Sequence, residues 1–306
     1  MRLRSYLAIA RPDHWIKNIF VLPGVVFAGL LARPPWTEAL PRVGTALLVA
    51  CLVASANYVI NEWLDAAFDR HHPVKKHRPS LTGGLRAPYV YLEYVMLLVV
   101  GLGLAWVLGV PFFLTALWLA VMGVLYNVRP FRTKDRAYVD VLSESVNNPI
   151  RLLMGWFALT SASSPPSSLL LGYWMGGAFL MATKRYAEFR EIGAAVAALY
   201  RRSFRYYTLD RLLISIMFYG CSASFFTGVF LVKYRIEYII LLPFLAFLFA
   251  WYLQISFKPN SAAQAPERLF REKRFATFVL FIAALFLVLT IVDIPNLSVL
   301  VHGQDP

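Results

Sequence analysis

The chain has 306 residues, of which 59% are hydrophobic and 15% charged, and its mean hydropathy is +0.58. These values exclude an ordinary soluble domain and indicate an all-α, polytopic membrane protein. The formal net charge of +13 is compatible with a nucleic-acid partner. In a membrane protein, however, basic residues follow topology, so the bilayer and not nucleic acid is the expected partner. The two cysteines, Cys51 and Cys221, lie in apolar runs and predict no disulfide framework.

Nine apolar runs are long enough, with their flanks, to cross a bilayer as helices. They cover residues 16–33, 43–64, 88–108, 111–128, 138–160, 168–184, 210–232, 236–257 and 275–294. The third and fourth runs are separated only by Gly109 and Val110, which predicts a tight helical hairpin. Pro23, Pro149 and Pro243 fall within runs and predict kinks. We therefore expect one transmembrane domain, residues 1–306, built as a nine-helix bundle.

The basic residues are distributed asymmetrically between the two sides of this arrangement. The N-terminal segment 1–17 and the loops 65–87, 129–137, 184–211 and 258–274 together hold 25 of the 30 lysines and arginines. The positive-inside rule places this side in the cytoplasm, so the chain is expected in the cell membrane with a cytoplasmic N-terminus. Most acidic clusters lie on the same side. Topology does not require acidic residues there, but a metal–diphosphate site facing the cytoplasm would.

The most informative motif follows the second apolar run. Asn61, Asp65 and Asp69 are spaced four residues apart, so on a continuing helix they form one stripe, with Glu62 beside them. A basic cluster comes next, made of Arg70, Lys75, Lys76 and Arg78. Carboxylates beside a basic cluster are typical of a site for Mg²⁺ and a diphosphate. The alternative is a solvated loop with scattered charges.

A second polar stripe descends into the fifth run. Asp140, Glu144, Asn147 or Asn148, and Arg151 share one helical face, and the preceding loop carries Lys134 and Asp135. Ionisable groups at this depth normally face a cavity or a partner. Two facing carboxylate clusters could hold Mg²⁺ on both sides of one pyrophosphate. The alternative is a structural ladder of buried ion pairs.

Two smaller clusters complete the set. Lys184, Arg185 and Glu188 close the sixth run, where a helix-end salt bridge is the alternative. Lys17 and Asn18 lie in an N-terminal segment that could equally be a membrane-surface anchor. The sequence has no nucleophile elbow, zinc cluster or Walker loop. This favours a substitution that needs charge stabilisation and positioning more than covalent catalysis.

These motifs resemble the UbiA superfamily of intramembrane prenyltransferases, and more narrowly its decaprenyl-phosphate phosphoribosyltransferase branch. The narrower resemblance is carried by Arg11-Pro12-x2-Trp15-x-Lys17-Asn18, Asp69-Arg70-x-His72-Pro73-x-Lys75-Lys76-x-Arg78-Pro79, Ile150-Arg151 and Lys184-Arg185-Tyr186-Ala187-Glu188. The chain departs from the family pattern at two positions. Glu62 stands where the family usually has Asp, and Asp140 stands where the phosphoribosyl branch tends to have Glu.

The resemblance implies a nine-helix fold and Mg²⁺-dependent transfer of 5-phosphoribose from phosphoribosyl diphosphate to a polyprenyl phosphate. It implies catalytic roles for Asp65, Asp69, Asp140 and Arg151, and metal ligation by Asn61, Glu62, Asp65, Asp69, Asp135 and Asp140. Substrate contacts are expected from Lys17, Asn18, Asn61, Arg70, Lys75, Lys76, Arg78, Lys134, Tyr138, Lys184, Arg185 and Glu188.

Two alternatives to phosphoribosyl transfer stay open at this point. One is prenyl transfer from an allylic diphosphate to an aromatic or other acceptor, with the same aspartates and metal. The other is a transporter or lipid scramblase that uses the polar stripe of the fifth run. Assembly into a homo-oligomer is also open.

Overall fold

The computed structural model describes residues 2–234, 236–264, 269, 272–294 and 297, and these residues form helices and connecting turns without any β-strand. The first helices are Arg2–Ile9 (α1), Leu22–Ala32 (α2), Trp36–Asp69 (α3), Pro79–Thr82 (α4), Ala87–Val107 (α5) and Val110–Asn127 (α6). The later ones are Val139–Ser145 (α7), Asn147–Leu159 (α8), Ser167–Tyr200 (α9), Leu209–Tyr234 (α10), Leu241–Ser256 (α11) and Lys273–Ile291 (α12). Short 3₁₀ helices cover Pro12–Val21, Lys75–His77, Thr133–Asp135, Arg202–Arg205, Ile236–Ile240 and Ala262–Gln264. The all-helical prediction is confirmed.

Seven segments within the described part of the chain are long and apolar enough to cross a membrane. They are Arg4–Ala32, Trp36–Asp69, Ala87–Val107, Val110–Asn127, Leu209–Lys233, Ile236–Ser256 and Lys273–Ile291. The two predicted runs not among them differ in character. Run 138–160, which carries Asp140, Glu144 and Arg151, is divided between α7 and α8 at Val146, and run 168–184 is the first half of α9. The nine-span count stays a prediction.

Prolines explain where several helices start. Pro23, Pro149 and Pro243 are the second or third residues of α2, α8 and α11. A 3₁₀ helix precedes α2 and α11, and a turn at Val146 precedes α8. The first turn of a helix has no use for the N–H that proline lacks. The predicted hairpin is present: Gly109 joins α5 to α6 with φ 113°, in a region that favours glycine.

The chain divides into two compact units, which are described separately. The first comprises residues 1–165 and 192–208, and the second residues 166–191 and 209–306. The prediction of one domain over residues 1–306 stays a prediction. Part of the predicted loop 258–274 lies outside the described residues.

In the first unit, α3 packs against α5 and α2 packs against α8. The α2–α8 contact depends on two glycines. A Cβ on Gly24 would lie 1.9 Å from the carbonyl oxygen of Leu152, and one on Gly155 would lie 2.0 Å from the carbonyl oxygen of Val21. The backbones of α2 and α8 approach so closely at these glycines that neither position has room for a side chain. This packing fixes the helices that carry the polar clusters of the first unit.

The second unit is rich in aromatic contacts. The rings of Phe179 and Phe249 are stacked at 4.7 Å, and those of Phe278 and Phe281 on α12 at 6.0 Å.

Within α9, Gly193 has φ 76° and ψ 155°, so the helix is broken there. The predicted loop 184–211 is therefore helical up to Tyr200, on both sides of this break.

Candidate active site

The candidate site lies in the first unit, at the C-terminal end of α3. This helix continues to Asp69, so Asn61, Asp65 and Asp69 share one helical face as predicted. A narrow cleft opens beside this end of the helix. Its lining is unusually rich in charged side chains and consists of Asp65, Phe68, Arg132, Lys134, Asp135, Tyr200, Arg201 and Arg202.

Asp65 is held by two cations from the loop between α6 and α7. The Nζ of Lys134 lies 2.6 Å from Asp65 Oδ1, and Arg132 Nη2 donates to the same oxygen at 2.7 Å. Lys134 also donates to Asn127 Oδ1 at 2.7 Å, and Asn61 Nδ2 donates to that oxygen at 2.5 Å. Burial lowers the pKa of Lys134 to about 8, although the negative charge of Asp65 acts in the opposite direction.

Asp69 is paired with the basic loop that follows it. Arg78 Nη1 donates to Asp69 Oδ2. The other carboxylate oxygen, Oδ1, is buried and has no hydrogen-bond partner among the described residues. Within the same loop, the Lys75 ammonium contacts the Tyr200 hydroxyl and lies 4.0 Å from the centre of that ring. By contrast, Arg70 and Lys76 are exposed to solvent.

Glu62 is buried away from the cleft lining. Its Oε2 accepts hydrogen bonds from Arg11 at 2.6 and 3.0 Å, and its Oε1 accepts one from the backbone N–H of Ser80 at 3.3 Å. Glu62 therefore ties the N-terminal segment and α4 to the end of α3. Its expected contact with the metal stays a prediction.

Asp135 lines the cleft from the loop side. Arg132 Nε lies 3.2 Å from Asp135 Oδ2, and Arg202 Nε lies 3.9 Å from the same oxygen. The guanidinium groups of both arginines make cation–π contacts with Phe68, at 5.1 and 5.9 Å from its ring centre. Cations therefore separate Asp135 from Asp65.

Asp140 does not line the cleft. It is fully buried, with Oδ1 accepting from the Tyr207 hydroxyl at 2.6 Å and Oδ2 accepting from Ser203 Oγ at 3.2 Å. Arg201 Nε lies 3.4 Å from the same Oδ2. The backbone N–H of Tyr138 donates to Tyr207 Oη at 2.6 Å. This network fixes the segment that follows α9.

Glu144 and Arg151, the other charged residues of the second polar stripe, bind side chains outside the cleft lining. Glu144 accepts a hydrogen bond from the Tyr126 hydroxyl at 2.5 Å. Further along, Arg151 Nε donates to Asn18 Oδ1 at 3.0 Å, and Asn18 Nδ2 donates to Cys51 Sγ at 3.2 Å. Arg151 thus contacts the N-terminal motif and does not line the cleft. In that motif, Lys17 Nζ lies 3.2 Å from a ring nitrogen of His14.

Lys184, Arg185 and Glu188 belong to the second unit. Arg185 Nη1 lies 3.6 Å from Glu188 Oε2, three residues along the helix, and both side chains are almost fully buried. The expected approach of these residues to the substrates stays a prediction.

Sequence reasoning missed several residues of the site. They are Tyr126, Asn127, Tyr200, Arg201, Arg202, Ser203 and Tyr207. A usable signal is present in the run Tyr200-Arg201-Arg202-Ser203-Phe204-Arg205-Tyr206-Tyr207, because arginines that can bind anions stand among aromatic residues that can contact them.

The residues at the end of α3 suit Mg²⁺ by their chemistry. Asp65, Asp69 and Asp135 offer hard carboxylate oxygens, and the buried Asp69 Oδ1 lacks a partner among the described residues. In that part of the chain, no group of three or more His, Cys, Asp or Glu residues is arranged to hold a metal ion. A metal ion at these carboxylates would need further oxygen ligands, such as those of a diphosphate or of water.

Comparison with known proteins decides the family. The model of the UbiA prenyltransferase family matches residues 21–282, which is most of the chain. The chain belongs to this family. The UbiA family consists of enzymes, and several membrane-crossing helices in this member agree with a multi-pass membrane protein.

Individual relatives refine this result. The chain is 33% identical to the decaprenyl-phosphate phosphoribosyltransferase of Mycobacterium tuberculosis over 199 residues, which cover 65% of this chain and 64% of that protein. It is 34% identical to the 4-hydroxybenzoate octaprenyltransferase of Ralstonia nicotianae, over 40% of this chain and 41% of that one.

The fold of this UbiA member also matches solved structures. A UbiA homologue from Archaeoglobus fulgidus bound to GPP and Mg²⁺ superimposes with a TM-score of 0.70, covering 94% of this chain and all of the other. At 21% identity the likeness concerns the fold alone.

Proposed function

We propose that this protein transfers 5-phosphoribose from phosphoribosyl diphosphate to a polyprenyl phosphate of the decaprenyl type and releases pyrophosphate. The observation that carries the proposal is the charge of the cleft. Four cations, Arg132, Lys134, Arg201 and Arg202, line it together with only two carboxylates, Asp65 and Asp135. A single Mg²⁺–diphosphate has little need of so many cations, whereas a donor with an additional phosphate does.

The relatives support the same choice. The basic loop after Asp69 carries the sequence on which the likeness to the phosphoribosyltransferase branch depends. In the structure this loop contacts the site through Arg78 and Lys75. The alignment covers only part of the mycobacterial enzyme, so its substrates are proposed and not transferred outright.

Mg²⁺ would be held by Asp65 and Asp69, with Asn61 beside them, while Asp135 stays paired with Arg132. When bound, the ion would neutralise charge on the diphosphate. Lys134 and Arg132 already contact Asp65 and would also attract the phosphate oxygens of the donor electrostatically. Asp140 holds Arg201 in position through an ion pair of 3.4 Å on the side away from the cleft. We therefore assign Asp140 a positioning role.

The reaction is a substitution at C1 of the ribose. An oxygen of the acceptor phosphate forms a bond to C1 while the bond from C1 to the diphosphate oxygen breaks, and the electron pair leaves with pyrophosphate. The cations of the cleft stabilise the charge on that leaving group. A phosphate monoester is already ionised near neutral pH, so the acceptor needs no strong general base. Lys17 and Arg151 are proposed to contact the lipid phosphate.

We also propose the membrane arrangement on which this chemistry depends. The chain has nine spans with its N-terminus in the cytoplasm, and the cleft faces the cytoplasm, where phosphorylated sugars are available. The support is the concentration of basic residues in the predicted cytoplasmic segments. Single cysteines introduced at residue 34 and at residue 76 should react with an impermeant thiol reagent from opposite sides of the membrane.

The experiment that tests the proposal uses the purified full-length chain in detergent with Mg²⁺, phosphoribosyl diphosphate and decaprenyl phosphate. We expect a phosphoribosylated lipid and pyrophosphate. A parallel incubation with geranyl diphosphate and 4-hydroxybenzoate tests prenyl transfer, the alternative that the Ralstonia relative supports. Prenylated product in the second incubation and none in the first would overturn the proposal in favour of that alternative.

A further inference from the structure

The short segment after α9 supplies two neighbouring arginines to the cleft, and their surroundings differ. Arg201 is committed to the protein: its Nη2 donates to the Tyr126 hydroxyl at 2.5 Å, and its Nε lies 3.4 Å from the buried Asp140. Its side chain is only 12% exposed. Arg201 is thus part of the fixed wall of the cleft.

Arg202 is in a different situation. Its side chain is 50% exposed, and its contact with Asp135 is long, at 3.9 Å. The guanidinium lies 5.9 Å from the ring centre of Phe68, within the range of a cation–π contact. An ion pair as long and solvated as this contributes little stability. Arg202 can therefore turn to a ligand at little cost to the fold.

The other two cations of the cleft are already engaged with a carboxylate. Arg132 and Lys134 contact Asp65 at 2.7 and 2.6 Å, next to the stripe proposed to hold the Mg²⁺–diphosphate. Arg202 enters the same cleft from a different element, on the side of Asp135. A ligand that spans the cleft would place one anionic group at Lys134, beside the Asp65 proposed to hold Mg²⁺, and a second anionic group at Arg202.

A phosphosugar diphosphate has two separate anionic groups, whereas an allylic diphosphate has only one. On the basis of the proposed function, we infer that Arg202 selects the donor by binding the 5-phosphate of the sugar. Arg202 is then the residue that distinguishes a phosphosugar donor from a prenyl donor. The planar fork of arginine suits two parallel hydrogen bonds to a phosphate.

The test compares three ligands by isothermal titration calorimetry on the full-length chain with Mg²⁺ present: phosphoribosyl diphosphate, ribose 5-phosphate and inorganic pyrophosphate. Arg202→Gln should weaken the first two by about tenfold or more and leave pyrophosphate unchanged, since a charge-assisted phosphate contact is lost. Arg202→Lys should weaken them less, because it keeps the charge and loses the fork.

Arg205→Gln is the matched control. Arg205 lies three residues further along the same segment, donates to the carbonyl oxygen of Ala198 at 3.4 Å, and does not line the cleft. This variant removes the same charge and should bind all three ligands as the unchanged protein does. An equal loss in both variants would show that only the general field of the segment matters, and would overturn the inference.

The remaining outcomes are also decisive. If Arg202→Gln weakens pyrophosphate as much as phosphoribosyl diphosphate, Arg202 binds the diphosphate and the inference is wrong while the proposed function stands. If it weakens neither, the inference is wrong in the same way. If the unchanged protein binds pyrophosphate but neither phosphosugar, the proposed function itself fails.

Discussion

The ammonium group of Lys134 lies 2.6 Å from the Oδ1 of Asp65, at the point where the loop after α6 meets the end of α3. Both side chains are mostly buried, with exposed fractions of 3% and 18%. Arg132 contacts the same oxygen, so Asp65 balances two cations. In the proposed mechanism, Asp65 therefore stabilises the ligand-free site in addition to binding the metal.

Asp65→Asn should lower both activity and stability. The substitution leaves Lys134 and Arg132 without their carboxylate, which should cost about 1–3 kcal/mol in the free energy of unfolding. Turnover should fall below detection because a metal ligand is lost. Thermal unfolding in detergent and a phosphoribosyl-transfer assay measure the two effects.

The double variant Asp65→Asn/Lys134→Met separates these effects. It removes the carboxylate together with one of its cations, so it should recover part of the lost stability. Turnover should stay undetectable. Recovered turnover in the double variant would contradict a direct role of Asp65 in the reaction.

The pH dependence of donor binding should reveal Lys134. Its pKa is lowered to about 8 from an ordinary value of 10.5, so the ammonium loses its proton as pH rises through about 8. Because donor phosphates are fully ionised by then, affinity for phosphoribosyl diphosphate should fall between about pH 7.5 and 9.5. Lys134→Arg keeps its charge throughout this range, so its affinity should not show this fall.

The free energy of unfolding should change in the opposite direction to the affinity as pH rises. Between about pH 8 and 10.5 the unfolded chain holds the proton on Lys134 and the folded chain does not, so the free energy of unfolding rises with pH. The difference in melting temperature between the unchanged protein and Lys134→Met isolates this contribution. A pH-independent difference would show that Lys134 keeps its ordinary pKa in the fold.

The parts of the site that lie close together in sequence were predictable. The four-residue spacing of Asn61, Asp65 and Asp69 requires only that a helix continue, and α3 does continue to Asp69. Pro23, Pro149 and Pro243 were predicted as kinks within longer runs, and in the structure each lies in the first turn of a helix, because proline acts on its own turn.

The partners of each carboxylate were not predictable. Arg132 and Arg201 are separated from Asp65 and Asp140 by dozens of residues, and only tertiary packing brings them together. Asp140 and Asp135 are five residues apart, and both were predicted as metal ligands. The fold separates them, since Asp140 begins the buried α7 whereas Asp135 stays on the loop that lines the cleft.

Removal of the metal should stop the reaction, and Asp69 should be essential for metal binding. Asp69→Asn keeps the shape of the side chain but removes the charge beside Arg78. We expect chelation with EDTA to abolish turnover and Mn²⁺ to restore it in the unchanged protein. In Asp69→Asn, the electron paramagnetic resonance signal of Mn²⁺ in the presence of pyrophosphate should show at least about tenfold weaker binding.

Glu38→Gln is a suitable control for this experiment. Glu38 lies in the first turn of α3, at the opposite end of the helix from Asp69, and this substitution also removes one negative charge. It should leave Mn²⁺ binding unchanged. Equal Mn²⁺ affinity in Asp69→Asn and in the unchanged protein would exclude Asp69 as a ligand.

The buried network around Asp140 should control the position of Arg201. Tyr207→Phe removes the hydroxyl that donates to Asp140 at 2.6 Å and accepts from the backbone of Tyr138. We expect a loss of about 1–3 kcal/mol in the free energy of unfolding and weaker donor binding, with Mn²⁺ affinity unchanged. Loss of Mn²⁺ binding comparable to that of Asp69→Asn would instead place Asp140 among the metal ligands.

The close approach of α2 and α8 should make Gly155 intolerant of even one additional carbon. In Gly155→Ala, the new Cβ would lie 2.0 Å from the Val21 carbonyl oxygen and 2.8 Å from the backbone nitrogen of Val25, so the two helices must separate.

Gly103→Ala is the matched control, because Gly103 lies within α5 and a Cβ there meets no atom within 4 Å. The control should be neutral or more stable by about 0.5–1 kcal/mol, since alanine favours a helix. Gly155→Ala should lose about 1–3 kcal/mol, as overpacked sites do. Melting temperatures measured side by side in one detergent decide the matter, and equal values for the two variants would contradict the close α2–α8 packing.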